Sequence, residues 1–112
     1  MLTRKNFNQY INLFLEEIKK SGIEPTRIVL FGSYAKGNVR GQSDIDLAIW
    51  ADAFTGSIVE DCMPFQNILT RFPLVQLQTY QTGETEMEDP FIREILSTGK
   101  DLSLQYVDFS FV

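Results

Sequence analysis

Asp44 and Asp46 stand in DIDLAIW, a stretch that otherwise alternates apolar residues as a buried strand does. Residues two apart on a strand project from one face, with side chains rooted about 7 Å apart. Two carboxylates so placed repel each other and raise each other's pKa unless a cation lies between them. Mg²⁺ takes hard oxygen ligands, commonly one or two carboxylates with water and substrate phosphates. The pair therefore suits a metal–triphosphate site. The plainer alternative is that both acids form the solvated face of an edge strand, and the D-x-D pattern alone favours that alternative.

A second element lies upstream, where Gly32 closes the apolar run RIVLF and Ser33 follows. Glycine there allows a phosphate close to the backbone. Ser33, a good N-cap residue, offers a hydroxyl where a short helix over SYAKG presents free N–H groups. Ala35 and Gly37 keep the turn small. Taken alone this is an ordinary strand–helix turn. The pairing changes the balance: Gly-Ser, ten residues, then Asp-x-Asp on the next strand. One half cradles phosphates and the other neutralises them through a cation. Lys36 and Arg40 between the halves are candidates for triphosphate oxygens. Ser43 is a candidate for a phosphate hydrogen bond. Exposed loop charges and a turn cap are the competing readings.

These residues need elements to position them. Phe7, Tyr10, Ile11, Phe14 and Ile18 recur at helical steps and predict an amphipathic first helix, with Lys19 and Lys20 at its C-terminal end and Gly22 as its stop. RIVLF reads as a buried strand, and NVRGQS as loop with a turn at Gly41. DIDLAIW places Ile45, Leu47 and Ile49 on one face and Asp44, Asp46 and Ala48 on the other. A third helix is expected between Ser57 and Arg71, started, kinked or interrupted by Pro64. PLVQLQTY is the next strand, and Glu88 to Ser97 a final helix stopped by Gly99. The tail DLSLQYVDFSFV is a last strand or an arm on a partner. Strands separated by helical segments point to an α/β or α+β fold.

Composition sets bounds. The chain's 112 residues suit one domain, residues 1–112, and 44% apolar content is that of a globular chain. A net charge of −5 without a dense basic run weighs against polymeric nucleic acid. Histidine is absent, which removes histidine bases, Ser-His and Cys-His pairs and His-bearing zinc sites. The lone Cys62 forms no intrachain disulfide and reads as a small buried hydrophobe. The N-terminal stretch resembles neither a signal peptide nor a membrane span, so a cytoplasmic location is the default and no membrane partner is expected. Trp50 and Tyr80 are either core aromatics or stacking partners for a base, with core favoured. Phe109, Phe111 and Val112 are either core or an apolar patch for a dimer or partner.

GSYAKGNVRGQSDIDLAI resembles the signature of the minimal nucleotidyltransferases within the polymerase-beta-like superfamily, Gly-Ser, ten residues, Asp-x-Asp. Gly32, Ser33, Ala35, Gly37, Ser43, Asp44 and Asp46 all fall in register, and DPFIREILSTGKDL resembles the family's closing helix. The resemblance implies a small mixed β-sheet with helices packed mainly on one side. It implies transfer of a nucleoside monophosphate from an NTP, with ATP expected, Mg²⁺ as cofactor and pyrophosphate as leaving group. It also implies a HEPN-domain protein partner, some relatives being antitoxins that adenylylate such a partner. A homodimer is a further option.

One family feature is missing. A third carboxylate belongs on the following strand, and here Val75-Gln76-Leu77-Gln78 puts Gln76 in that place. Glutamine offers a neutral oxygen but accepts no proton, so nucleotide binding is expected to survive with transfer weakened. Glu84, Glu86, Glu88 or Asp89 could fold back to supply the acid, or a partner could donate one; a solvated acidic loop is the bland alternative. The leading expectation is a metal-dependent nucleotidyltransferase acting on a protein partner, with Asp44, Asp46 and Gln76 at the reaction centre. The alternative is a non-catalytic nucleotide-binding antitoxin-like module. A structural domain with a chance motif is the least favoured.

Overall fold

The computed structural model describes residues 4–37 and 44–102. α1 (Arg4–Lys20) forms because Phe7, Ile11, Phe14, Leu15 and Ile18 fall on one stripe, and all five are fully buried. β1 (Pro25–Phe31) and α2 (Gly32–Lys36) follow, then β2 (Ile45–Ala51). β3 (Val75–Gln81) lies parallel to β2, and such a pair needs a crossover. α3 (Ile58–Cys62), a 3₁₀ turn at Met63–Phe65 and α4 (Gln66–Arg71) supply it. This is the expected third helix, interrupted at Pro64 because proline has no N–H to give the helical ladder. α5 (Phe91–Thr98) and β4 (Lys100–Asp101) complete the described chain. The sheet order is β3-β2-β1-β4, with β1 antiparallel to both of its neighbours.

Strand alternation sorts the two faces. Ile28, Leu30, Ile45, Leu47, Ile49, Val75 and Leu77 pack against α1, α3 and α4, with Tyr34 of α2 stacked on Phe7. Val29, Phe31, Ala48, Trp50 and Tyr80 form a smaller core under Ile92 and Ile95 of α5. The fold is therefore a mixed sheet with helices mainly on one side. α5 begins at Phe91 rather than Glu88, because Pro90 takes the N-cap and Glu88 turns back to accept the Thr85 N–H at 2.6 Å. A β-carbon on Gly99 would lie 2.5 Å from the Ile95 carbonyl oxygen and 2.5 Å from Val29 Cγ1, so glycine is required where α5 passes onto the edge of β1. The tail thus opens as a short strand; Phe109, Phe111 and Val112 lie outside the described residues. No helix among the described residues is long and apolar enough to cross a membrane.

The β2–α3 loop is held by a buried acid that periodicity did not mark. Asp61 Oδ1 accepts the Thr55 N–H at 2.8 Å and its hydroxyl at 3.0 Å. Its Oδ2 accepts the Gly56 N–H at 3.0 Å and the Thr79 hydroxyl at 2.7 Å. Burial alone would raise this carboxyl, but the four bonds outweigh it and hold the pKa below the ordinary value. A depressed native pKa contributes stability that is full above the unfolded value and lost as pH falls through the native one. Asp61→Asn turns an NH₂ group toward two donors, so a loss of about 2–4 kcal/mol is expected near neutrality. Urea unfolding of both proteins at about pH 7 and about pH 3 checks this, the gap shrinking at the lower pH.

Candidate active site

Sheet register brings the motif together. Asp46 pairs with Phe31 across β1 and with Gln76 across β3. Directly paired residues share a face, so Phe31, Asp46 and Gln76 line up across three strands. Asp44, immediately before β2 and two residues from Asp46, belongs to the same end of that face. Phe31 leads into Gly32, which sets the Gly-Ser turn beside the acids. The approach is close enough that a β-carbon on Gly32 would overlap Oδ2 of Asp46. Gly32 also has φ 72°, the left-handed region that side chains other than glycine rarely adopt.

The expectation that Ser33 caps α2 is corrected here. The helix starts at Gly32 with the extended Phe31 as N-cap, and no side chain caps it. Glycine's turn out of β1 lets the helical bonds begin one residue early, and Ser33 sits partly buried in the first turn. Lys36 is exposed in the last turn. Arg40 and Ser43, and the turn at Gly41, lie outside the described residues.

Asp44 is exposed and Asp46 half-buried. Burial first, and the Asp44 charge second, push the Asp46 carboxyl above its ordinary range. A cation would relieve both penalties, and two carboxylates beside a glycine cradle are a hard-oxygen donor set of the kind a divalent ion takes. No group of three or more His, Cys, Asp or Glu converges as a metal-holding cluster among the described residues.

The third position is occupied by Gln76, exposed and in register with Asp46. The acidic segment after β3 is engaged elsewhere. Glu84 accepts the Gln81 N–H at 2.8 Å, at the opposite end of β3 from Gln76. Glu88 accepts from Thr85, and Asp89 accepts the Tyr80 hydroxyl at 3.1 Å and the Phe91 N–H at 3.0 Å. Glu86 is exposed beside Arg93 and Leu96. Trp50 and Tyr80 are core: both are buried, their rings 4.9 Å apart, at the far ends of their strands from the acids. Cys62 is buried as expected.

Sequence reasoning missed Phe91. Its ring stands edge-on to Phe31, 5.8 Å between centroids at 78°, and it is 42% exposed. Nothing in the helical period of FIREILST distinguishes it; only the long-range contact with β1 does.

The family model for polymerase beta nucleotidyltransferases matches residues 8–105. No curated protein matches the chain by sequence. Three solved structures share the fold. A toxin–antitoxin with AMP-PNP is 21% identical with a TM-score of 0.56, covering 85% of this chain and 71% of that one. A mutant of the MntA–HpeT toxin–antitoxin is 17% identical with a TM-score of 0.55, covering 86% and 79%. A candidate nucleotidyltransferase from Sulfolobus solfataricus is 20% identical with a TM-score of 0.56, covering 85% and 78%.

Proposed function

Since the chain belongs to the polymerase beta nucleotidyltransferase family, we propose that it binds Mg²⁺-ATP and transfers AMP, slowly, to a protein partner of the HEPN type. The observation that carries this reading is the contact between Gly32 and Asp46, which makes the phosphate-cradling turn and the paired acids a single site. The choice of adenine nucleotide and protein partner is supported by structural neighbours that are toxin–antitoxin proteins, one solved with AMP-PNP.

In this reading the backbone N–H groups of the turn at Gly32 and Ser33 receive the β- and γ-phosphates, beside the Asp46 carboxylate. Lys36, Arg40 and Ser43 contribute further donors to phosphate oxygens. Asp44 and Asp46 hold the divalent ion, which when bound neutralises phosphate charge and polarises the α-phosphate. The acceptor oxygen attacks the α-phosphorus, the bond to the bridging oxygen breaks, and pyrophosphate leaves. Gln76 borders the acceptor's approach. Its amide orients a hydroxyl but takes no proton from it, so deprotonation falls to solvent and the rate drops.

A second reading rests on that same residue. With Gln76 in the third place and no third acid beside Asp44 and Asp46 among the described residues, the chain acts as a nucleotide-loaded antitoxin-like module that works by binding its partner. One experiment separates the two. Purified chain and a candidate HEPN-type protein are incubated with α-³²P-ATP, with Mg²⁺ or with EDTA. Slow Mg²⁺-dependent label on the partner supports transfer, while a stable nucleotide-bound complex without label supports the second reading.

A further inference from the structure

We infer that Phe91 is the platform on which the base of the bound nucleotide rests, an inference that builds on the nucleotide site proposed above. The sheet face that carries Asp46 is the one under α5. Its described aromatic residues are Phe31, Trp50, Tyr80 and Phe91, and three of them are spent in the core at 8%, 3% and 3% exposure. Phe91 alone among these four offers ring surface to a ligand, at 42%.

Its position is tied to the phosphate end of the site. Phe31 is covalently joined to Gly32 and paired with Asp46, and the Phe91 ring meets Phe31 edge-on at 5.8 Å. The turn, the acids, Phe31 and Phe91 therefore follow one another along one face. A T-shaped contact covers at most one face of the Phe91 ring, and the residue's 42% exposure leaves surface for a second partner. The backbone is held as well: Asp89 Oδ1 accepts the Phe91 N–H at 3.0 Å, and Pro90 precedes it with a fixed φ. The neighbouring side chain Ile92 is fully buried and anchors the helix below. An exposed phenyl on so constrained a backbone is a pre-organised stacking surface.

A phenyl ring has no hydrogen-bonding group. It recognises a nucleobase as a class by its π-face and does not tell adenine from guanine. Stacking of this kind is worth about 1–3 kcal/mol per base, about 5- to 150-fold in affinity. Phe91 thus separates a nucleoside triphosphate from the bare polyphosphate that the Gly-Ser turn and the acids would hold equally well.

The test titrates ATP and inorganic tripolyphosphate, each with Mg²⁺, into wild type, Phe91→Ala, Phe91→Leu and Phe91→Tyr. Leucine keeps the apolar packing on Phe31 while removing the π-system, so loss in that variant isolates stacking from folding. Both Ala and Leu variants are expected to weaken ATP by about 5- to 150-fold and tripolyphosphate by less than about twofold, with Tyr near wild type. ATP affinity unchanged in both variants overturns the assignment, as does an equal loss for both ligands. If wild type binds tripolyphosphate but not ATP, the base platform is wrong while the phosphate site stands. If it binds neither, the nucleotide reading and this inference fail together.

Discussion

Gln76→Asp is expected to raise the rate of nucleotidyl transfer by about 10²- to 10⁴-fold, the range that one positioned base contributes. Asp46 and Gln76 are Cα partners in parallel register, so the new carboxylate emerges on the same face and one strand over. Gln76 is exposed, so the loss of one methylene on going to aspartate opens no cavity in the core. Between Gln76→Asp and Gln76→Asn, which have the same length, charge is the sole difference. A third negative group raises the cost of an empty site through repulsion with Asp44 and Asp46, and lowers the barrier by accepting the acceptor's proton. Metal-dependent ATP binding should also tighten. Time courses of α-³²P label on the partner protein, wild type against variant, check the prediction; Gln76→Asn serves as the neutral control and is expected to stay near wild type. A wild type already as fast as the variant would mean that another group takes the proton.

Gly32→Ala is expected to weaken nucleotide binding by a different route. An alanine at φ 72° costs about 1–2 kcal/mol in backbone strain. Its methyl group would also overlap Asp46 Oδ2, and relieving the overlap costs about 1–3 kcal/mol more. The backbones are fixed, Phe31 by its sheet register with Asp46 and Ile45 by its N–H to the Leu74 carbonyl at 2.7 Å, so the Asp46 carboxylate itself must turn away from the methyl group. The strain therefore falls on the two groups that hold the ligand. The backbone strain is carried free and bound alike and lowers stability, whereas the overlap is met again on binding and, at 1.4 kcal/mol per decade, costs about 5- to 150-fold in affinity. Calorimetric titration of ATP into the variant measures it, with circular dichroism to show that the fold persists. Wild-type affinity in Gly32→Ala would place the phosphates away from this turn.

Much of this arrangement was legible from local pattern. The alternation in DIDLAIW put Ile45, Leu47 and Ile49 on the main core, where they are fully buried, and Pro64 marked the break in the crossover. What local pattern could not supply was how the second face is covered. Ala48 reads as part of a polar face with the acids, yet it is fully buried because α5 lies over it. The same blindness hid Phe91, whose meaning depends on a contact with β1 sixty residues earlier. Asp61 was missed for a related reason, since an acid in IVEDC looks solvated until Thr79 from a distant strand donates to it. Gln76 was found from the family pattern, and its pairing with Asp46 could be known only once the strands were laid side by side.

If the Gly-Ser turn and the paired aspartates form one cation-dependent nucleotide site, ATP binding needs both the ion and the acids. Titration of ATP into the wild-type protein, once with Mg²⁺ and once with EDTA, tests it most directly. Saturable binding with Mg²⁺ is expected, and it disappears with EDTA and in Asp44→Asn. Equal binding under both conditions, or none under either, would contradict it.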